Sequence, residues 1–396
     1  MFEAEDNFGK PNSTHHWIAP PPGSFINTTH NRSTTRVQSA GSKIWDTVAY
    51  GQLTGSWEWT FLLDYNYLEP LYFAFEGFSD NNAHTTHTYE KHNAKRVKSF
   101  TLRRKMLNRM AGGPDTAQEQ SDEVEEVYGC VVRSISFSKA SGTSQIQVRM
   151  TGFFVDEKMY LGDLEATDYK SYTGKLAEYF CMFVGGTELS NSHYVANTDS
   201  LEITIENNAD PIYNTCSPFA SQYYEGITNY SFSTSCYSNN PYNYKLRVYG
   251  GGTRVTPASE VGSPSRIARP LSKGLAPLNK IFLIAYDGSA RSYDSGTPPE
   301  HTEDYDITEA DIRNAYDRST NKICIDITDC VIKSLTWPKG DGSRIMDNIS
   351  SAECKTIKMD VTTTAYNPNP TVTTGDIIKN RVTFGPNDEN YPVWGN

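Results

Sequence analysis

No stretch of the 396-residue chain approaches the ~18 consecutive apolar residues of a membrane span. The opening residues, Met1 to Asp6, have none of the basic-then-apolar layout of a secretory signal, so synthesis in a cytoplasm without export is the expectation. Cysteine is sparse: seven are present, an odd number, and no two form a Cys-x-x-Cys. Cys130, Cys181, Cys236, Cys324 and Cys330 lie in apolar or alternating stretches, where the thiol acts as a small buried hydrophobe, and no disulfide framework is expected. Positive charge is in deficit, with 36 Lys and Arg against 47 Asp and Glu, a net charge of -11 and a pI near 5.3. A chain of that sign has no excess of cations with which to grip a phosphate backbone. Gly-x-Ser-x-Gly, P-loop and dinucleotide fingerprints are all missing. Gly250-Gly251-Gly252 ends a strand pattern without opening a helix, so it is no phosphate cradle.

Aromatic residues, by contrast, are abundant: 25 Tyr, 17 Phe and 6 Trp, against a mean hydropathy of -0.57. They supply the burial that offsets ordering entropy, and they favour strands. The expectation is a folded, polar-surfaced, strand-rich chain, long enough for two domains.

Residues 1–45 are polar, with a Pro20 to Pro22 run, and read as an extended arm rather than a packed element. Strand patterns at period two follow. Trp57, Trp59 and Phe61 alternate with Glu58 and Thr60; Cys130 to Phe137 and Ile146 to Met150 form two more; Leu201, Ile203 and Ile205 alternate with Glu202, Thr204 and Glu206. The run Ile281 to Tyr286 is apolar throughout and predicts a central strand. Two helices are expected, one over Tyr172 to Phe183 and one opened by a capping box at Thr308 and running through Ala315. Three long connections remain: Phe78 to Arg96, Ala111 to Glu126 and Gly250 to Gly274.

The chain also resembles itself. Gly129 to Phe137 reads like Asp329 to Trp337, a constant step of 200 from Cys130 to Cys330, which pairs Val131, Ile135 and Phe137 with Val331, Leu335 and Trp337. Ile146-x-Val148-x-Met150 matches Ile357-x-Met359-x-Val361, and Gly55-Ser56-Trp57, continuing to Trp59, matches Tyr230-Ser231-Phe232. Val97 to Leu102 would then correspond to Ile281 to Tyr286, and Gly77 to Gly252. These collinear matches point to tandem copies of one β-unit, at about 46–190 and 191–396, with a long loop at 250–274 in the second.

Candidate chemistry is thin. His84, His87 and His92, with Glu90, have metal-ligand residue types but lie in a polar stretch, where solvated loop histidines are expected. The pairs Glu125-Glu126 and Asp304/Asp306 are expected to be solvated or calcium-contacting acids rather than a glycosidase dyad. No catalytic residue, cofactor site or metal site is assigned, and a non-enzymatic role is expected.

Gly55-Ser56-Trp57-Glu58-Trp59-Thr60-Phe61-Leu62-Leu63-Asp64, followed by Leu71 to Gly77, resembles a segment of the tail tube (major tail) proteins of long-tailed bacteriophages and related archaeal viruses. Ser200 to Asn208, Pro211-Ile212-Tyr213 and the Tyr230 to Ser235 strand resemble the second half of the same family; Tyr230, in place of a glycine, departs from it. The resemblance implies a mainly β chain with minor α, built from tandem tail-tube-like β-sandwich or barrel domains. It implies a virion structural protein, assembled in the host cytoplasm, whose rings stack into a hollow tail tube. Three tandem chains would close a pseudo-hexameric ring around passing double-stranded DNA and the tape-measure protein, with tail terminator and baseplate proteins at the ends and no membrane partner. Glu58, Glu202, Glu206 and Asp360 are the candidates to line that lumen and repel phosphates; an outer solvated face is the alternative. A baseplate or distal-tail ring protein of the same fold, or a carbohydrate-binding β-sandwich adhesin, are the other readings.

Overall fold

Trp57, Trp59 and Phe61 form the buried side of one long strand in the computed structural model, as their alternation with Glu58 and Thr60 requires. The structure describes residues 2–5, 8–10, 17–18, 20–37, 40, 47–75, 77–81, 85–91, 96–106, 123–140, 143–161, 175–184, 187–194, 198–237, 279–287, 309–336 and 346–364. Its first strands are β1 (Phe2–Ala4), β2 (Phe25–Val37), β3 (Thr47–Leu62), β4 (Gly77–Asp80), β5 (Thr86–Glu90) and β6 (Phe100–Met106). Then come β7 (Glu123–Lys139), β8 (Gln147–Phe154), β9 (Asp156–Leu161), β10 (Glu178–Val184), β11 (His193–Tyr194), β12 (Thr198–Glu206), β13 (Ala209–Tyr213) and β14 (Ala220–Glu225). The chain continues through β15 (Asn229–Tyr237), β16 (Asn279–Tyr286), helix α1 (Glu309–Arg318), β17 (Lys322–Thr336), β18 (Met346–Cys354) and β19 (Thr356–Thr362). All named pairings are antiparallel, and the fold is mainly β with little helix.

Two long strands organise it. The C-terminal half of β7 lies in a front sheet, ordered β2-β3-β8-β7-β12-β15-β18-β17, and its N-terminal half in a back sheet, ordered β1-β6-β7-β9. Strand β17 likewise leaves the front sheet to join a second back sheet, ordered β11-β10-β16-β17-β19-β5-β4. One apolar cluster fills the space between, drawing on Trp59, Phe100 and Ile135 as well as Ile203, Ile325 and Val361. Sheet-on-sheet burial of this kind is the main source of stability for so polar a chain.

The pairing set β2·β3, β3·β8, β8·β7, β7·β6 and β7·β9 recurs as β12·β15, β15·β18, β18·β17, β17·β16 and β17·β19. The registers recur too. Val131, Val132 and Ser134 face Phe153, Gly152 and Thr151; Val331, Ile332 and Ser334 face Glu353, Ala352 and Ser351, each with a bulge after the second pair. Gly129 and Asp329, one residue before the buried Cys130 and Cys330, both take a left-handed backbone, with φ of 66° and 55°. Gly55, Ser56 and Trp57 face Phe154, Phe153 and Gly152, just as Tyr230, Ser231 and Phe232 face Cys354, Glu353 and Ala352.

Several sequence expectations shift. The counterpart of β8 is β18, and that of β9 is β19, so Ile146 to Met150 does not correspond to Ile357 to Val361. Cys130 faces Phe100 where Cys330 faces Asn279, which moves the β6/β16 match by several residues from Val97/Ile281. Gly252 lies outside the described residues.

The segment expected as a helix over Tyr172 to Phe183 is extended where it is described, with strand β10 beginning at Glu178. Ala177, Phe180, Met182 and Val184 enter the main core, while Phe183 packs with Phe282 and Ile312 on the other side. Being apolar on both faces, the segment has no period that separates strand from helix. By pairing with β16 it also joins the second set of strands, ahead of the boundary expected at 190/191. Where they are described, residues 1–45 are largely extended but not an unpacked arm. Phe2 is fully buried, 5.1 Å from the ring of Trp59, Trp17 and Ile18 are buried, and β2 pairs along β3. Helix α1 forms over the expected stretch, with Ile312 against the β10–β16 pair.

Candidate functional site

Alternation along the front sheet sends one set of side chains into the core and leaves a second, polar face. One row across it runs Asn27, Glu58, Thr151, Ser134, Glu206, Asn229. The next runs Thr29–Ser56 at one edge, and a third carries Gln147, Ser138, Glu202 and Ser233. Among the described side chains the face is a carpet of hydroxyls and amides that carries the carboxylates of Glu58, Glu202 and Glu206 and the guanidinium of Arg149. Glu58 and Arg149 form a bidentate pair at 2.7 and 3.0 Å, and that hydrogen bonding holds Glu58 below the usual carboxylate range and Arg149 above its own. Glu202 and Glu206 are exposed.

Asp360 does not share this face. It sits on β19 in the back sheet, where it accepts from Thr88 Oγ1 at 2.6 Å and pairs with Lys358 at 3.0 Å. The period-two pattern of β19 gave it a polar position but not the sheet to which that position belongs.

The core positions named from the sequence are placed as follows. Trp57, Trp59, Phe232, Ile135 and Phe137 share the main core. Val131 is buried on the opposite side, with Val97, Phe153 and Ala209, because the bulge after Val132 exchanges the faces of β7. Val331 and Leu335 occupy the equivalent β17 backbone; Trp337 lies outside the described residues.

Behind β2 lies a charged network that sequence reading missed. Glu125, expected to be solvated, is only 2% exposed and is held by Arg104, by Thr28 Oγ1 at 2.9 Å and by His30 Nε2 at 3.2 Å. His30 Nδ1 reaches Glu157 at 2.8 Å, and Arg104 also donates to Thr28 Oγ1 and to the Ile26 carbonyl. Glu126 is buried as well, against Arg103 at 2.9 Å and Tyr160 Oη at 2.6 Å, and burial with that hydrogen bond pushes the Tyr160 phenol up to about 12. His30, Glu125 and Glu157 bring three ligand-type atoms within 4.8 Å of one another, but the Arg104 guanidinium already compensates the buried carboxylate there. The arrangement is an ion-paired strut between sheets.

The matching positions in the second half are Ile203, Ile205, Leu283, Ile325 and Ile357, all core residues. Only the two registers laid side by side expose that exchange of an ionic patch for an aliphatic one. A second missed group is Glu5, 6% exposed, whose carboxylate accepts from the Gly129, Gly9 and Thr101 donors while burial raises it to about 7.

Of the expected histidine cluster, His87 is fully buried on β5, between Val361 and Asp80, rather than in a solvated loop. His84, His92, Asp304, Asp306 and the 250–274 stretch lie outside the described residues. Among the described residues no helix is long and apolar enough to cross a membrane. No protein-family model matches the chain, and no curated protein matches it.

Proposed function

We propose that this chain is a structural ring-forming protein of the viral tail-tube type: tandem tail-tube-like β-sandwich units that assemble into stacked rings around a channel for double-stranded DNA. The recurrence of one pairing set in the two halves, with the same register from Val131 to Ser134 as from Val331 to Ser334, supports the reading, in which each chain supplies two near-equivalent building blocks. Three chains then give a ring of pseudo-sixfold symmetry. In this reading the hydroxyl-rich front face, with Glu58, Glu202 and Glu206, turns to the lumen, where its negative charge keeps phosphates from sticking. The tape-measure protein shares that lumen, and tail terminator and baseplate proteins meet the ends. The virion tail is the location and the role is not catalytic.

A carbohydrate-binding surface built on the strand tryptophans is favoured less, since Trp57 and Trp59 are 2% and 0% exposed. Negative-stain microscopy of the purified full chain tests the proposal: rings or tubes with a central channel are expected at high protein concentration. A monodisperse monomer at that concentration overturns it.

A further inference from the structure

The two halves of the chain are joined in the front sheet by six antiparallel residue pairs between β7 and β12, from Leu201↔Lys139 to Glu206↔Ser134. The registers on either side make β2 the counterpart of β12, and β17 the counterpart of β7: Thr28 faces Trp57 as Ile203 faces Phe232, and Val131 faces Phe153 as Val331 faces Glu353. Among the described residues, β2 pairs only with β3, and the segment Val331–Thr336 pairs only with β18. Each counterpart therefore keeps open the edge that its twin has filled. These are the two ends of the eight-stranded front sheet.

We propose that β2 of one chain adds to the β17 edge of a second copy, repeating between chains the join that β12 makes with β7 within one. The proposal rests on the ring-forming reading above and names its interface. The two edges differ, so the contact is head-to-tail and propagates from chain to chain until it closes. It covers two backbone edges that would otherwise be templates for uncontrolled pairing, one of them the 13-residue β2, with Phe25 61% exposed at its start. Carrying the internal register across gives Thr29 opposite Thr336, His30 opposite Leu335 and Asn31 opposite Ser334, from the pairs Thr204↔Ser136, Ile205↔Ile135 and Glu206↔Ser134. That register keeps the front face polar through the join; a slip of one residue would turn His30 onto it.

Cysteine cross-linking of the full chain tests the register. Thr29→Cys with Thr336→Cys is expected to give disulfide-linked dimers and higher multiples of the chain under mild oxidation, lost on reduction, with each single variant giving none. Ser136→Cys with Thr204→Cys, across the internal join, serves as the control and is expected to bridge within one chain. If rings form and the control bridges while the 29/336 pair does not, the proposed interface is wrong and the ring reading stands. If no oligomer forms at any concentration, both fall together.

Discussion

Gly55 lies directly across the β3·β8 ladder from Phe154, and a side-chain carbon on Gly55 would fall 2.2 Å from the Phe154 ring. At the matching place in the second half, Tyr230 lies across from Cys354. The bulky and the small member of the pair have exchanged strands, so the volume between the sheets is kept while neither sequence position is. This is why Tyr230 departs from the glycine of the first half without breaking the register.

The exchange predicts a compensated pair. Gly55→Ala alone forces the Phe154 ring aside and is expected to cost about 1–3 kcal/mol in urea unfolding. Gly55→Tyr is worse still, and Phe154→Cys alone opens a cavity. The double variant, which copies the second half, is expected to recover much of the combined loss. A double-mutant cycle with a coupling below about 0.5 kcal/mol would refute the equivalence of the two sites.

The ionic strut behind β2 makes a second comparison possible. Arg104→Leu leaves Glu125 buried beside His30 and Thr28 and is expected to destabilise by about 3 kcal/mol. Replacing the whole set by its second-half counterparts (Thr28→Ile, His30→Ile, Arg104→Leu, Glu125→Ile and Glu157→Ile) removes the stranded charge. The fivefold variant should unfold at higher urea concentration than Arg104→Leu alone. Should it unfold earlier, the patch is more than a substitutable part of the core.

What the sequence made legible follows from where side chains alternate cleanly. Trp57, Trp59 and Phe61, or Ile203 and Ile205, declare one buried face, and the strands around them fall where expected. The repeat is visible at Cys130/Cys330 because both copies carry the same bulge, after Val132 and after Ile332, so no insertion in one copy offsets the flanking residues from the other. It lost register at β6 and β8, where one aliphatic strand looks like the next and only the hydrogen-bond ladder decides between neighbours. Strand β10 carries a helix-like spacing of apolar residues because both its faces are apolar. Glu125 is hidden for a different reason: it falls in an acidic stretch with the pattern of a connection, where a carboxylate goes to solvent unless its partner is known, and Arg104 comes from another strand. The three front-face carboxylates were placed by pattern alone, but Asp360 needed the topology.

Glu5 predicts a pH dependence. Its carboxyl titrates near 7 in the folded chain and near 4.5 when unfolded, so between those values the unfolded state has released a proton that the folded state retains. Stability from this group is therefore whole below pH 4.5, falls as pH rises and is lost above about 7, by at most about 3 kcal/mol. Glu5→Gln removes the slope: thermal unfolding compared at pH 5 and pH 8 should move relatively in favour of the variant at the higher pH. An unchanged difference between variant and parent across that range would show that Glu5 does not titrate there.

The front-face carboxylates give the sharpest test of the proposed channel. Glu58, Glu202 and Glu206 project from the polar side of β3 and β12, clear of the main core and of the residues proposed to join chains. Reversing all three to Lys shifts the formal net charge of each chain from -11 to -5, by two charges at each position. Folding should change little, since Glu58–Arg149 is an exposed pair of the kind that contributes no more than about 1 kcal/mol. Rings should still assemble, because Thr29, His30 and Asn31 are untouched. A lumen that repelled phosphates would instead attract them from several subunits at once, and every phosphate engaged releases counterions. Co-sedimentation of assembled rings with linear double-stranded DNA should show retention by the variant at low salt and its loss as salt rises, with none by the parent. Retention of closed circular DNA, which cannot thread the ring, to the same extent as linear DNA would place these carboxylates on the outside of the ring.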